Sequence, residues 1–327
     1  MPQKAQISRV KPPVLRPGDT VAIVAPASNI QRAALESGCA ALRRLGYDPI
    51  FNETIFAHDL YFAGSVERRA RELEEMFERD DVRAIVCARG GYGSNYLLEV
   101  LDLSKIAAHP KVFVGYSDVT TLLTWFADSA GFVTFHGPMV TKDFTQPDGI
   151  DQLSWDAALS GIAEWSLDLG PNCGVKPLCE GAAEGILYGG CLSMLVASLG
   201  TPFEIQTSGS ILFIEDIATK PFQIDRMLMQ LKLAGKFRAV RGIVFGEMID
   251  CIQTKDQGYT LEEVVLRILA DLDIPIAYGL RSGHVTRGNI MLPIGVRAAL
   301  EVRPTDVALR ILEPATTSSP VQAHSHS

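Results

Sequence analysis

Short apolar runs alternate with amphipathic segments through the first half of the chain, and this alternation constrains the fold more than any other feature. Residues 20–26 (TVAIVAP), 83–88 (RAIVCA) and 111–115 (KVFVG) are nearly continuous in apolar side chains. Such runs suit strands covered on both faces in a parallel sheet. Residues 47–51 and 131–135 supply two further strands. Between them lie segments of helical period, among them 66–79, which follows a capping Ser65, carries Glu/Arg pairs on its polar face and turns Leu73, Met76 and Phe77 inward. Strands and helices at these intervals predict a doubly wound, mostly parallel sheet with short connections. Ligands bind such sheets beyond the carboxyl ends of the strands.

Two turns fall on that rim. One is Gly115-Tyr116-Ser117-Asp118, where an apolar strand turns abruptly into a helix whose first turn holds Asp118, Thr120 and Thr121. A hydroxyl at such a corner stands beside unpaired amides and the positive end of a helix, where attack that generates an oxyanion is favoured; the plainer reading is a helix-capping serine. The other is Arg89-Gly90-Gly91-Tyr92-Gly93-Ser94. It lacks both the G-x-G-x-x-G register and the G-K-[ST] ending, so it is a poor phosphate loop. It fits instead an exposed amide, that of Gly91, joining the Asp118 amide as an oxyanion hole.

Between about 141 and 181 the periodicity weakens and turn residues gather: Gln146-Pro147-Asp148-Gly149, Pro171-Asn172-Cys173-Gly174 and Lys176-Pro177. Regular patterning resumes at 184–189 (GILYGG). Helices follow at 191–199, 222–233 and 261–272, with strands at 210–214, 240–246, 275–278, 296–302 and 307–312. The expected organisation is an N-terminal domain over 1–165, a connection over 166–183, a C-terminal domain over 184–313 and a disordered Thr/Ser/Pro/His tail over 314–327.

A nucleophilic serine needs a base and, beyond it, a group to orient that base. Outside the tail there are four histidines. His58 lies in a loop and His109 at a helix end, both read as surface or packing residues. His136 follows a strand and precedes Gly137-Pro138, so it stands between substrate contact and structure. His284 sits in the polar loop Leu280-Arg281-Ser282-Gly283-His284-Val285-Thr286-Arg287-Gly288-Asn289, whose glycines let backbone approach a ligand, and is the best base by context. Glu215 and Asp216 end a buried strand and point to opposite faces. Either could orient the histidine, while the other caps a turn or meets Arg226. The order Ser, acid, His matches α/β-hydrolases, but their G-x-S-x-G elbow requires glycine where this chain has Val119.

Other classes are disfavoured. The net charge is −8 and no Lys/Arg run stands out, so nucleic acid is not an expected partner. No apolar run reaches the ~18–20 residues that span a bilayer, and residues 1–19 hold no h-region. The scattered cysteines match no zinc or redox spacing, nothing resembles a metal constellation, and a cytoplasmic location is expected.

Taken together, VAIVAPAS (21–28), ARGGYGSNYLL (88–98), VGYSDVTTLL (114–123), FHGPM (135–139), YGGCLSMLVASLGTPFEI (188–205), ILFIEDI (211–217), IDRMLMQL (224–231) and GHVTRGNIMLPIG (283–295) resemble the serine LD-carboxypeptidase family, in family order. That family includes muramoyl-tetrapeptide carboxypeptidases and microcin C self-immunity peptidases. The resemblance implies a class I amidotransferase-like N-terminal domain and a smaller, mostly β C-terminal domain with the site between them. It implies Ser117 as nucleophile, His284 as base and Glu215, rather than Asp216, as orienting acid, with Gly91 and Asp118 supplying the oxyanion hole. It further implies a homodimer that needs no metal or cofactor and removes the terminal D-alanine from a murein tetrapeptide. An anionic substrate on an acidic protein calls for a local basic pocket, with Arg89, His136 and Arg287 the expected substrate contacts. The immunity-type members act on aminoacyl-nucleotide conjugates and carry a tryptophan-bearing loop. Here 169–181 is short and lacks tryptophan, Trp155 and Trp165 lying upstream, which favours the cell-wall reading. A non-catalytic cleft-binding protein is the remaining alternative class.

Overall fold

Five of the apolar runs become one parallel sheet in the computed structural model, which describes residues 9–167, 169, 173–253 and 258–318. Its strands are β1 (Thr20–Val24), β2 (Asp48–Ile50), β3 (Val82–Cys87), β4 (Val112–Gly115) and β5 (Thr134–His136), in the order β2-β1-β3-β4-β5. They are joined through α1 (Arg32–Arg44), α2 (Val66–Glu78), α3 (Leu103–Ala108) and α4 (Thr120–Trp125). Strand order reverses between β1 and β3, the switch point at which such sheets open a ligand crevice. The turns after β1, β3 and β4 line its rim.

Beyond β5 come α5 (Gln152–Leu159), β6 (Trp165–Leu167), β7 (Lys176–Cys179), β8 (Gly181–Cys191), α6 (Leu192–Ala197), β9 (Ser210–Glu215), α7 (Pro221–Leu233), β10 (Gly242–Gly246), α8 (Leu261–Leu269), β11 (Ile276–Leu280), β12 (Leu292–Ile294), β13 (Arg297–Arg303) and β14 (Asp306–Ile311). Eight of these strands form the second sheet, β6-β14-β13-β8-β9-β10-β11-β7. Its centre, β8 to β11, is parallel, and its flanks are antiparallel. The expected fold class, a doubly wound sheet plus a mostly strand-built second unit, is the one observed.

One strand crosses over. β12 pairs antiparallel with β5, Leu292 opposite His136, so the loop that follows β11 is carried back onto the edge of the first sheet. A further tie runs from the Cys191 amide to Thr120 Oγ1, 3.0 Å away, joining the end of β8 to the start of α4. Both connections hold the two carboxyl-end rims together.

Several local expectations need correction. The segment 166–183 is more than a connection: it contributes β7, most of β6 and the start of β8 to the second sheet. β6 has three residues and β7 holds Pro177, so their period was too short to read, and pairing with β14 and β11 defines them. The Gly-rich turn leads into a single 3-10 turn, Ser94–Leu97, whose first amide, that of Ser94, donates to Asp118 Oδ2 at 2.8 Å; a helix starts only at the Asp102 cap. On α2, Arg69 and Glu72 are not on a wet face but 1% and 3% exposed. Of the tail, Ala315 and Thr316 are buried and the Thr317 amide donates to Pro12 O, so its first residues pack against the N-terminal segment; residues 319–327 lie outside the described residues.

Candidate active site

Ser117 is the first residue after β4 and Tyr116, and its φ is +61°, a conformation side-chain-bearing residues seldom adopt. Strain of this kind costs about 1–3 kcal/mol and concentrates at functional corners. The local sequence shows how the turn is accommodated without a second glycine. A Cβ on Gly115 would lie 2.7 Å from Val119 Cγ1, so the glycine two residues before the serine makes room for the valine two residues after it. The elbow reads G-x-S-x-V because one small residue suffices when the large one fills its space.

The Gly-rich turn wraps the same corner. Gly90 approaches so closely that a Cβ there would be 3.0 Å from Ser117 Cβ, 3.2 Å from its Oγ and 3.3 Å from the Asp118 amide nitrogen. Three ties fix the turn. The Ser28 amide donates to Gly90 O at 3.3 Å, Ser28 Oγ accepts from the Tyr92 amide at 3.1 Å, and buried Arg69 donates from Nη1 to Pro26 O and Gly93 O at 2.6 and 2.8 Å. The Asp118 carboxylate, by accepting from Ser94, secures the far end of the turn. Gly91 is exposed on the rim, and its neighbour Gly90 is the residue that packs against Ser117 and the Asp118 amide.

Across the rim, Glu215 ends β9 and accepts at Oε2 from both His284 Nδ1 (2.7 Å) and the His284 backbone amide (3.1 Å). Gly283 permits this approach: a Cβ there would be 2.6 Å from Glu215 Cδ. Asn289 clamps the loop by accepting from the Gly283 amide and donating to its carbonyl, both at 3.0 Å. With Nδ1 committed to Glu215, Nε2 is the nitrogen left to take a proton. Burial alone would raise the Glu215 carboxyl, but the charge of His284, its hydrogen bond and the nearby His136 outweigh it and bring it down to about 2. Asp216 turns the other way, accepting from the Ser193 amide and hydroxyl and from Thr219. Of the two adjacent carboxylates, Glu215 therefore serves the histidine and Asp216 caps α6, while neither meets Arg226.

Tyr116 joins the halves. Its buried ring meets that of His284 edge-on at 5.1 Å, bringing the histidine against the residue preceding Ser117. Ser117 and His284 thus share one wall without a direct hydrogen bond between them. Burial, with Asp143 and Glu215 nearby, pushes the phenol well above its ordinary range, so Tyr116 stays neutral. Nothing in the local period singled out this residue or Ser28; only their places at strand ends gave a hint.

The expected substrate contacts are distributed unevenly. Arg89 is exposed, with Nη1 3.3 Å from Asn29 O. Arg287 is also exposed and, with Arg281, faces Glu247, whose carboxyl is raised by burial and lowered by these two cations. His136 differs from the expectation: it is 0% exposed and lies behind Glu215, screened from any ligand in the cleft. Among the other histidines, His58 is exposed and His109 Nδ1 bonds Lys105 O at 2.9 Å. No group of three or more His, Cys, Asp or Glu among the described residues could hold a metal ion. No described helix is long and apolar enough to cross a membrane.

A strained serine packed against the Gly-rich turn, on a rim that also carries a carboxylate-held imidazole, is equipped for nucleophilic acyl transfer. Comparison with known proteins converges on that chemistry. Residues 21–137 match the LD-carboxypeptidase N-terminal domain, and residues 184–300 match the LD-carboxypeptidase C-terminal domain. The chain is 38% identical over 294 residues to a Bacillus subtilis protein named "Probable murein peptide carboxypeptidase", covering 89% of this chain and 91% of that one. It is 29% identical to the Escherichia coli microcin C7 self-immunity protein, covering 89% and 93%. The crystal structure of a muramoyltetrapeptide carboxypeptidase from Oxalobacter formigenes superposes with a TM-score of 0.80 at 31% identity, covering 91% of this chain and all of that one.

Proposed function

The chain belongs to the LD-carboxypeptidase family, and from that premise we propose that it is a serine peptidase removing the C-terminal D-alanine from murein tetrapeptides. The observation that carries the chemistry is the pairing of Glu215 with His284 at 2.7 Å on the rim that also holds Ser117 at φ +61°. The substrate class is supported by the names of the relatives in Bacillus subtilis and Oxalobacter formigenes.

In this reading His284 Nε2 takes the Ser117 proton as Oγ attacks the carbonyl preceding D-alanine. The oxyanion rests on the Gly91 and Asp118 amides, where fixed dipoles act without having to reorganise. Glu215 holds the imidazole in the Nδ1–H tautomer and stabilises the imidazolium that forms. His284 then returns its proton to the leaving amine, and water activated by the same histidine releases the tripeptide. Exposed Arg89 and Arg287 supply positive charge for an anionic peptide. The reading also includes action in the cytoplasm as a homodimer. It is supported by family resemblance, and size-exclusion chromatography with light scattering tests the dimer.

The substrate class is tested by offering the purified protein a murein tetrapeptide and, separately, an aminoacyl-sulfamoyl adenosine. Release of free D-alanine from the first supports the proposal. Cleavage of the second alone would assign the chain to immunity-type hydrolysis instead. Binding without cleavage of either, together with no covalent labelling of Ser117 by a serine-directed probe, would make it a cleft-binding protein.

A further inference from the structure

His136 has been left without a role, yet its two ring nitrogens are placed in a way that assigns one. It is the last residue of β5, fully buried, with its ring 5.0 Å from that of Phe213 and 5.9 Å from that of Tyr116. Nδ1 lies 3.1 Å from Ser282 Oγ, and that hydroxyl lies 2.8 Å from Ile290 O. A serine has one proton to give, and a carbonyl can only accept. The Ser282 proton therefore goes to Ile290 O, Ser282 Oγ accepts from His136, and Nδ1 carries a proton.

The opposite nitrogen, Nε2, faces Glu215 Oε1 at 3.8 Å, with exposures of 0% and 1% for the two side chains. Neither atom has a hydrogen-bond partner. Two lone pairs opposed at this distance in a dry site repel each other. A proton on Nε2 turns that repulsion into an ion pair, and closing by ~0.8 Å would give an ordinary N–H···O bond. Leaving the buried carboxylate oxygen unpaired would instead carry the full desolvation penalty.

We propose that His136 is a positioning residue for the peptidase reaction: it grips Glu215 Oε1 from behind while His284 holds Oε2, fixing the carboxylate that orients the base. This rests on the Ser117–His284–Glu215 reading and extends it inward by one residue. The surrounding groups leave the exchange to these three. Tyr116 from the turn after β4 and Cys191 from the end of β8 stay neutral in their burial. Asp143 bonds the Met139 amide at 2.8 Å, Lys142 stacks on the outer side of Tyr116 at 5.5 Å, and Asp216 is turned toward Ser193.

With His136 gone, the Glu215 charge falls wholly on His284 and holds a proton there more tightly. Activity needs that proton absent, so the acidic limb of kcat/KM moves to higher pH. The test is kcat, KM and the pH profile of D-alanine release from a murein tetrapeptide by the full chain, for wild type, His136→Phe and His136→Gln. The phenylalanine variant keeps the shape and removes the donor. It should lose about 10- to 100-fold in kcat, the loss of one hydrogen bond to a charged group, with KM little changed. Its acidic limb should move to higher pH. Glutamine, which keeps an N–H, should recover part of both effects, and carries the test alone if the phenylalanine variant does not fold. A folded His136→Phe with wild-type kcat and an unmoved limb would overturn the proposal, as would a loss confined to KM. Ser117→Ala and His284→Ala, run alongside, separate the two readings: if both remain active, the triad reading fails first. If both are inactive while His136→Phe is normal, only this inference fails.

Discussion

Replacing Gly90 with alanine separates a site defect from a folding defect more cleanly than removing any catalytic candidate. The backbone at Gly90 is outside the left-handed region, so alanine is compatible there, and such a change alone stabilises a protein by about 0.4–1 kcal/mol through the unfolded chain. The added methyl would sit 3.0 Å from Ser117 Cβ, 3.2 Å from Oγ and 3.3 Å from the Asp118 nitrogen. These contacts are tight but yield to shifts of a few tenths of an ångström, so the melting temperature should move by only a few degrees, which corresponds to roughly 1 kcal/mol in a chain of this size. Function has no such tolerance. An oxyanion must come within about 2.7–3.1 Å of its donors, and the methyl occupies space beside one of them. Losing one donor costs about 10²–10³ in kcat, or ~2.7–4 kcal/mol. The assay is D-alanine release under saturating and limiting substrate, paired with thermal melting. A folded Gly90→Ala retaining kcat/KM within about threefold of wild type would refute the placement of the oxyanion hole at this turn.

Four further outcomes follow from the same geometry. Glu215→Gln should lower kcat by about 10³–10⁴-fold, as for other triads whose acid is neutralised, with KM nearly unchanged. Because the Glu215 carboxyl is depressed to about 2, its contribution to stability is complete above its ordinary value and is lost as pH falls from there toward 2. The stability gap between wild type and Glu215→Gln in urea titrations should therefore close across that window and stay constant above it. Arg69→Met should cost about 2–4 kcal/mol by stranding the Pro26 and Gly93 carbonyls, and should lower kcat by loosening the Gly-rich turn; an unchanged urea midpoint would count against it. Thr120→Val removes the 3.0 Å bond from the Cys191 amide and should cost about 1–3 kcal/mol in the same assay.

The parallel sheet was legible because β1, β3 and β4 are buried on both faces and so read as unbroken apolar runs. Ser117 was legible for a related reason: strand, corner and helix succeed one another within a few residues, and the local chemistry of a helix start is written in Asp118 and Thr120. The choice between Glu215 and Asp216 could not be made from the residues alone, since alternation places them on opposite faces without saying which face meets the histidine. Gly283, by letting Glu215 approach within reach of the His284 amide, decides it in three dimensions. β12 escaped notice because three residues including Pro293 carry no period, and the edge of β5 supplies its pairing. Arg69 was misread for the converse reason. It follows the polar spacing of α2, but its guanidinium is buried by carbonyls contributed from β1 and β3 loops far along the chain.

The account stands or falls on Ser117 as the attacking group. The direct measurement is free D-alanine released from a murein tetrapeptide by wild type and by a folded Ser117→Ala variant at equal concentration. The account predicts steady release, matched mole for mole by tripeptide, from wild type, and a loss of at least about 10⁴-fold in the variant. Release by Ser117→Ala at a rate comparable to wild type would contradict it.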